Sequence, residues 1–344
     1  MLGVLLAAML PASFGIDVRD VSDSWTGLSG EDLKRAVERD CRPSASVSSF
    51  AGENGYWAIM KETDIAPDGK SYLNRFSGET LQWPPSLTEG PAEMVLVNVI
   101  PWEWWDARSG VQPYVKGDLY NLVPALTWVD EVKGHYAPGT VTDASFDNGY
   151  WKAGAGMFDG VMRHLWQPPK GCEGDVARVV FYLFSIYPEG VAAFGHDGAL
   201  YGSDDYYPGI SDAALRQLMV WHRGDPSDLL ERRRNAVFAS HQGNVNPFVE
   251  LPELAEFLWG NKRGMPFGGS EPVIAETPLK AVYSIDEPRI NLRSDHVSAD
   301  ARWSVNGVTV PEPFLVPAEL GAGVHELRFE STESRGKILI EIVQ

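Results

Sequence analysis

The stretch "DPSDLLERRRNAVFASHQGNVNPFVELPE", from Asp225 to Glu253, combines a helix signal with a loop signal. Pro226 and Ser227, followed by acids, predict a helix start, because proline is tolerated in the first turn and acids suit the helix dipole. The predicted helix runs to Gln242. The Gly, Asn and Pro residues that follow predict a loop whose amide side chains hold the backbone and position their neighbours.

Three further segments of the chain predict helices. "GDVARVVFYLFSIY" (Gly174–Tyr187) is apolar nearly all round, which is typical of a core helix. "SDAALRQLMVWHR" (Ser211–Arg223) has an N-cap serine and an amphipathic stripe, and "SGEDLKRAVERDC" (Ser29–Cys41) also opens on a serine. Arg178 and Arg234 lie on helices with an apolar face, so each is expected either in a buried ion pair or in contact with a phosphate.

Strand signals are found on both sides of these helices. Residues 46–90 contain short apolar pairs broken by Gly, Pro, Asn and Asp, which indicates short strands and turns. "EMVLVNVIPW" (Glu93–Trp102) predicts a stronger strand that ends at Pro101. Helices and separate strands within one region predict an α+β domain over residues 16–267.

The composition changes at about Gly268. Residues 268–280 predict a linker, and residues 281–344 are alternating β segments with a two-residue hairpin signal at Asn306-Gly307. A small β-sandwich is expected. The pattern Trp303-x-Val305-Asn306-Gly307 resembles bacterial immunoglobulin-like modules, which implies a spacer or a surface for a protein partner.

The N-terminal residues 1–15, "MLGVLLAAMLPASFG", predict a signal peptide and hence a secreted or periplasmic protein, with a buried N-terminal helix as the alternative. No other apolar stretch reaches the length that spans a membrane. Cys41 and Cys172 could pair after export or could be two separate buried thiols. The net charge of −18 disfavours nucleic acid as a partner, because phosphate binding depends on Lys and Arg.

The opening stretch and the segment "WQPPKGCEGDVARVVFYL" (Trp166–Leu183) together resemble the bacterial endonuclease I family. The matching positions include Pro168, Pro169, Gly174, Asp175, Val176, Ala177, Arg178, Tyr182, Asp225, Pro226, Glu231, Arg234, Asn235, Gln242, Gly243, Asn244, Asn246, Pro247, Phe248 and Pro252, preceded by Asp118, Leu119, Asn121 and Pro124. The resemblance implies a secreted or periplasmic, metal-dependent, non-specific nuclease with a ββα-metal (His-Me finger-like) fold. It also implies a Glu–His pair, in which Glu binds magnesium with a downstream Asn and His is the general base.

The stretch "NVIPWEWWDARSG" (Asn98–Gly110) lies where that pair is expected, and it lacks the pair. If Glu103 takes the position of the metal ligand, Trp104 takes the position of the base. An indole has a donor and no acceptor, so it cannot take a proton from water. In the other register the pair becomes Ile100-Pro101.

Two hypotheses follow from this departure. In the first, the chain is a metal-dependent phosphodiester hydrolase of DNA or RNA with a rebuilt site. Magnesium would bind Glu103 and Asp130, and Asp118 or His135 would assist catalysis. The substrate contacts would come from Lys133, Arg178, Arg234 and Asn246. In the second, the chain is an inactive nuclease scaffold with a structural, surface or partner-binding role, since losing a base costs about 100- to 10,000-fold in rate.

Overall fold

A computed structural model describes residues 22–44, 55–66, 69–72, 76–77, 79, 81–83, 91–189, 198–203, 205–268, 282–286, 289–292, 301–310, 314–330 and 335–343. The chain forms two compact units, residues 1–267 and 268–344. The predicted signal peptide (1–15) and residues 269–280 of the predicted linker lie outside the described residues. Within the described part, no helix is long and apolar enough to cross a membrane.

The helices of the first unit surround its apolar core. They are α1 (Gly30–Cys41), α2 (Tyr56–Asp64), α3 (Gln112–Gly117), α4 (Thr127–Lys133), α5 (Glu173–Ile186), α6 (Gly198–Tyr201), α7 (Asp212–Gly224), α8 (Leu229–Gln242), α9 (Pro247–Glu250) and α10 (Leu254–Leu258). The predicted core helix is confirmed as α5, which packs against α1 and α7. The predicted cap of α7 is also confirmed, because the Ser211 hydroxyl accepts the amide N–H of Ala214 at 3.2 Å.

The helix in the Asp225–Glu253 stretch begins later than predicted. Asp228 is its N-cap, and the Asp228 carboxylate accepts the amide N–H of Glu231 at 2.8 Å. A side chain that satisfies an amide of the first turn sets the start of a helix more strongly than a proline upstream of it. The residues from Asp225 to Ser227 therefore precede α8.

The strands of the first unit form three sheets. They are β1 (Ser71–Tyr72), β2 (Leu81–Gln82), β3 (Met94–Asn98), β4 (Leu122–Leu126), β5 (Ala137–Pro138), β6 (Asp143–Asp147), β7 (Lys152–Phe158) and β8 (Val161–Gln167). β3 pairs antiparallel with β4, and α4 begins at the residue after β4, so the arrangement of a ββα unit is present with α3 inserted between its two strands. The four-stranded sheet has the order β5-β8-β7-β6, with β5 parallel to β8.

The second unit has its own core. Its elements are β9 (Val282–Ser284), β10 (Ile290–Asn291), β11 (Arg302–Val305), β12 (Val308–Val310), β13 (Phe314–Leu315), α11 (Pro317–Leu320), β14 (Gly323–Glu330) and β15 (Arg335–Val343). A five-stranded sheet β12-β11-β14-β15-β9 and the pair β10-β13 contribute to one apolar cluster. The predicted hairpin is confirmed, since Asn306 and Gly307 have φ of 49° and 82° between β11 and β12.

Helix α1 carries a thiol and a lysine that are both buried, Cys41 and Lys34. Cys41 and Cys172 do not form a disulfide. Lys34, on α1, is fully buried, and its ammonium donates to the carbonyl of Tyr206 at 2.5 Å. Burial lowers the pKa of Lys34 to about 8, although the nearby charge of Glu38 acts in the opposite direction.

This burial predicts a pH dependence of stability. Between pH 8 and pH 10.5 the unfolded lysine holds a proton that the folded one has lost, so the free energy of unfolding should rise with pH. The rise attributable to Lys34 should be roughly 3–3.5 kcal/mol, at about 1.4 kcal/mol per pKa unit. Urea unfolding at a series of pH values should show this rise in the wild type and a smaller one in Lys34→Met. Parallel pH profiles for the two proteins would contradict the prediction.

Candidate active site

The stretch from Asn98 to Gly110 begins at the last residue of β3 and forms two short helical turns, at Trp102–Trp104 and Ala107–Ser109. Trp104 and Trp105 are 0% and 1% exposed. The Trp104 indole N–H donates to the carbonyl of His135 at 3.4 Å. Trp104 is thus a core residue that joins two segments, and it offers no exposed ring to a substrate.

The turn at Trp102–Trp104 leaves Glu103 at the surface beside His135. The Glu103 Oε2 atom lies 3.5 Å from the Nδ1 atom of His135, and their side chains are 25% and 63% exposed. The buried Trp104 indole N–H donates to the backbone carbonyl of His135. This contact brings Glu103, the residue before Trp104, close to the His135 side chain. The fold therefore brings together a carboxylate and an imidazole that the sequence keeps on separate segments.

Two residues of α4 lie next to this pair. Asp130 is exposed, and Lys133, one turn later, is almost fully buried with its ammonium 5.2 Å from the centre of the Trp166 ring. Burial lowers the pKa of Lys133 to about 8, while the charges of Asp130 and Glu103 raise it. We call Glu103, Asp130, Lys133 and His135 the Glu103 cluster. The expected substrate contact of Lys133 is not met, because its ammonium lies beneath the surface.

The Glu103 cluster provides few ligands for a metal ion. Among the residues that the structure describes, no three His, Cys, Asp or Glu side chains are arranged to hold a metal. The Lys133 ammonium already places a positive charge near the carboxylates of Glu103 and Asp130. Magnesium commonly binds through one or two carboxylates and keeps several waters, so Glu103 and Asp130 are the side chains of the cluster that would hold it, with the Lys133 charge acting against binding.

Asp118, the other candidate catalytic acid, is 2% exposed and belongs to a buried network. Its carboxylate accepts hydrogen bonds from the hydroxyls of Tyr182 and Tyr187, both at 2.8 Å, and from the Gln242 amide at 3.2 Å. Burial raises the pKa of Asp118, and these hydrogen bonds act against the rise. An enclosed carboxylate cannot reach a substrate, so the catalytic role expected for Asp118 is replaced by a structural one.

Arg178 is fully buried and lies in an ion-pair network. Its guanidinium donates to the carboxylates of Glu231 at 2.7 Å and Asp175 at 3.0 Å, and to the carbonyl of Asp225 at 2.8 Å. Of the two roles open from the sequence, the structure shows the buried ion pair. A phosphate contact is excluded in this conformation because the side chain has no exposed surface.

Arg234 and Asn246 are also enclosed. The guanidinium of Arg234 pairs with Asp64 and donates to the carbonyl of Leu122 at 2.9 Å, with 9% of the side chain exposed. Asn246 is 1% exposed, and its side-chain oxygen accepts the amide N–H of Phe248 at 3.0 Å. The substrate contacts expected for both residues are not met, whereas the loop-holding role of the amides is confirmed.

Tyr136, a residue beside the Glu103 cluster, was not identified from the sequence. Tyr136 follows His135 directly, and its ring centre lies 4.0 Å from that of His164 on β8. The contact arises because β5 runs parallel to β8 with Ala137 opposite Leu165. A lone Tyr after a His carries no motif, so only the strand pairing reveals the contact.

Comparison with known proteins finds one matching family and several relatives. The model of the family described as Endonuclease I matches residues 21–253. An extracellular ribonuclease of Bacillus subtilis is 29% identical over 272 residues, which cover 75% of this chain and 84% of that protein. An extracellular ribonuclease of Bacillus amyloliquefaciens is 33% identical over 242 residues, 68% of this chain and 76% of that protein. An extracellular deoxyribonuclease of Aeromonas hydrophila is 28% identical over 137 residues, 40% of this chain and 50% of that protein.

Proposed function

Because this chain belongs to the endonuclease I family, we propose that it cleaves phosphodiester bonds of nucleic acid at the Glu103 cluster. The names of its relatives support a nucleic acid substrate, since they include ribonucleases and deoxyribonucleases. The observation that carries the proposal is the 3.5 Å approach of the Glu103 carboxylate to the His135 imidazole. In this pair, His135 takes the role of the general base that the stretch Asn98–Gly110 lacks.

The chemistry assigns one role to each member of the pair. Neutral His135 accepts the proton of the attacking oxygen through Nε2, and the Glu103 carboxylate beside Nδ1 orients the ring and stabilises the imidazolium that forms. A separation of 3.5 Å exceeds a hydrogen bond, but such contacts often tighten when substrate binds. The exposure of His135 leaves its other nitrogen accessible to a substrate.

A divalent cation is a separate part of the proposal. When bound, it would polarise the phosphate and stabilise the leaving oxygen. Glu103 and Asp130 are the carboxylates of the cluster that would hold it, together with water and the substrate phosphate. Each reaction step above is therefore assigned to the chain's own residues, and the need for Mg²⁺ is decided by assay.

The first test compares the wild type with Glu103→Gln. Purified full-length chain is incubated with labelled RNA or with plasmid DNA, in Mg²⁺ and in EDTA. Glu103→Gln should reduce cleavage about ten-fold, because a charge-assisted contact to the base contributes roughly 1.5 kcal/mol or more. The matched control is Glu62→Gln, which alters a second Glu–His pair at the same 3.5 Å distance, between Glu62 and His241.

The result also separates the two candidate functions. Equal cleavage rates for the wild type and Glu103→Gln in both buffers would contradict catalysis at the Glu103 cluster. Absence of cleavage by the wild type in both buffers would favour an inactive nuclease scaffold, a reading supported by the burial of Trp104 and Pro101, which stand where the family's base is expected in the two registers.

The proposal extends to location and to the second unit. Relatives named as extracellular or periplasmic nucleases support export of this chain. The five-stranded sheet with its own core supports an immunoglobulin-like module, and such a module offers a surface for a protein partner.

A further inference from the structure

A patch of exposed side chains lies on one face of the four-stranded sheet. Ala155 pairs with His164, and Met157 pairs with Met162, so these four side chains point to the same side of β7 and β8. Met157, Met162 and Tyr136 are 55%, 56% and 37% exposed, and His164 is exposed as well. We call Tyr136, Met157, Met162 and His164 the sheet patch.

The two rings of the sheet patch pack against each other. Tyr136, one residue before β5, and His164 on β8 have ring centres 4.0 Å apart and planes inclined by 38°, so the pair offers its outer ring faces to a ligand. The neighbour of His164 on β7 is Ala155, whose small side chain leaves room beside the imidazole. Beyond His164, the two methionines add polarizable apolar surface.

The sheet patch adjoins the Glu103 cluster through Tyr136. Tyr136 follows His135, whose imidazole lies 3.5 Å from the Glu103 carboxylate, and both side chains are exposed. A nucleotide next to one bound at His135 is therefore within reach of the Tyr136 ring and of His164, which packs against it.

Charge decides which part of a nucleic acid this surface can hold. The chain carries a net charge of −18, and the sheet patch contains no lysine or arginine. The acidic chain repels the phosphates of a duplex and of a single strand alike, so a favourable contact must come from unpaired bases, whose faces stack on aromatic rings. Sheet faces that carry aromatic side chains recognise single strands in this way.

We propose that the sheet patch binds the unpaired bases of a single-stranded nucleic acid and so makes single strands the preferred substrate of this chain. The inference rests on the proposed function, because it places the patch beside the cleavage site. Binding and cleavage are separable, since stacking on Tyr136 and His164 needs neither the general base His135 nor a metal ion.

Fluorescence anisotropy in EDTA, with full-length chain and labelled 12-mers, measures the binding. The probes are a single strand, its duplex and an abasic strand that keeps the phosphates. The single strand should bind at least ten-fold more tightly than either of the others. Its affinity should depend weakly on salt, because few phosphate contacts release counterions.

Variants locate the binding on the patch. Tyr136→Ala and His164→Ala should each weaken single-strand binding about ten-fold, as expected for the loss of one stacked base. His164→Tyr should retain binding because it keeps a ring. Tyr150→Ala is the matched control, since Tyr150 is 41% exposed but lies in the turn before β7.

The outcomes are distinct for the two proposals. Equal affinity for the three probes, no detectable binding of the single strand, or unchanged affinity in both alanine variants would overturn the sheet patch proposal. Single-strand binding that is lost in those variants would support it even if the wild type cleaves nothing, which would contradict the proposed hydrolysis alone.

Discussion

Replacement of His135 by alanine should lower phosphodiester cleavage by about 100- to 10,000-fold, the usual contribution of a general base. The expectation follows from the position of its imidazole 3.5 Å from the Glu103 carboxylate and from its 63% exposure. Because the alanine variant keeps the buried Trp104 and the backbone carbonyl that Trp104 contacts, the fold should be retained. Initial rates with labelled RNA, measured above KM, report the change in kcat.

His241→Ala is the control for this experiment. His241 on α8 lies 3.5 Å from Glu62 on α2 in a second imidazole–carboxylate pair outside the Glu103 cluster, and its loss should leave the rate unchanged. Equal rates for the wild type and His135→Ala would show that His135 is not the base. A large loss in both variants would point to a shared effect on folding.

Replacement of Arg178 by methionine should reduce the free energy of unfolding by about 3–5 kcal/mol, the usual result of removing one partner from a buried ion pair. Methionine fills much of the space, but it leaves the carboxylates of Glu231 and Asp175 without the guanidinium that lies 2.7 Å and 3.0 Å from them. It also removes the donor to the Asp225 carbonyl, next to the start of α8. Tryptophan fluorescence in urea measures the loss.

The matched control is Arg216→Met. Arg216 pairs with Asp159 at 3.3 Å, but their side chains are 68% and 72% exposed. Water screens such pairs, so the change in stability should stay within about 0.5 kcal/mol. The fluorescence signal reports chiefly on residues 1–267, because every tryptophan except Trp303 lies there. Similar losses in the two variants would contradict the buried role of Arg178.

Local signals in the sequence were enough to predict much of the fold. The unbroken apolar surface of α5, the serine before α7 and the Asn306-Gly307 turn each act within a few residues. The start of α8 was misplaced because two local signals competed, and the Asp228 side chain that fixes the first turn was not weighed against Pro226.

The candidate site was only partly predictable, because its geometry depends on contacts between distant segments. Glu103, Asp130 and His135 could be named from the sequence, but their proximity depends on Trp104 reaching the His135 carbonyl. For Arg178 and Arg234, the sequence identified the residues but left two roles open. An arginine on an apolar helix face suits an ion pair or a phosphate equally well, and only its burial distinguishes the two.

The indole of Trp104 has a consequence for the proposed catalytic pair. In the family that it resembles, the acid and the base are consecutive residues, so the peptide bond keeps them together. In the pair proposed here they belong to separate segments, and the buried Trp104 ring joins those segments. A change at Trp104 should therefore alter the separation of Glu103 and His135, although Trp104 takes no part in the proposed chemistry.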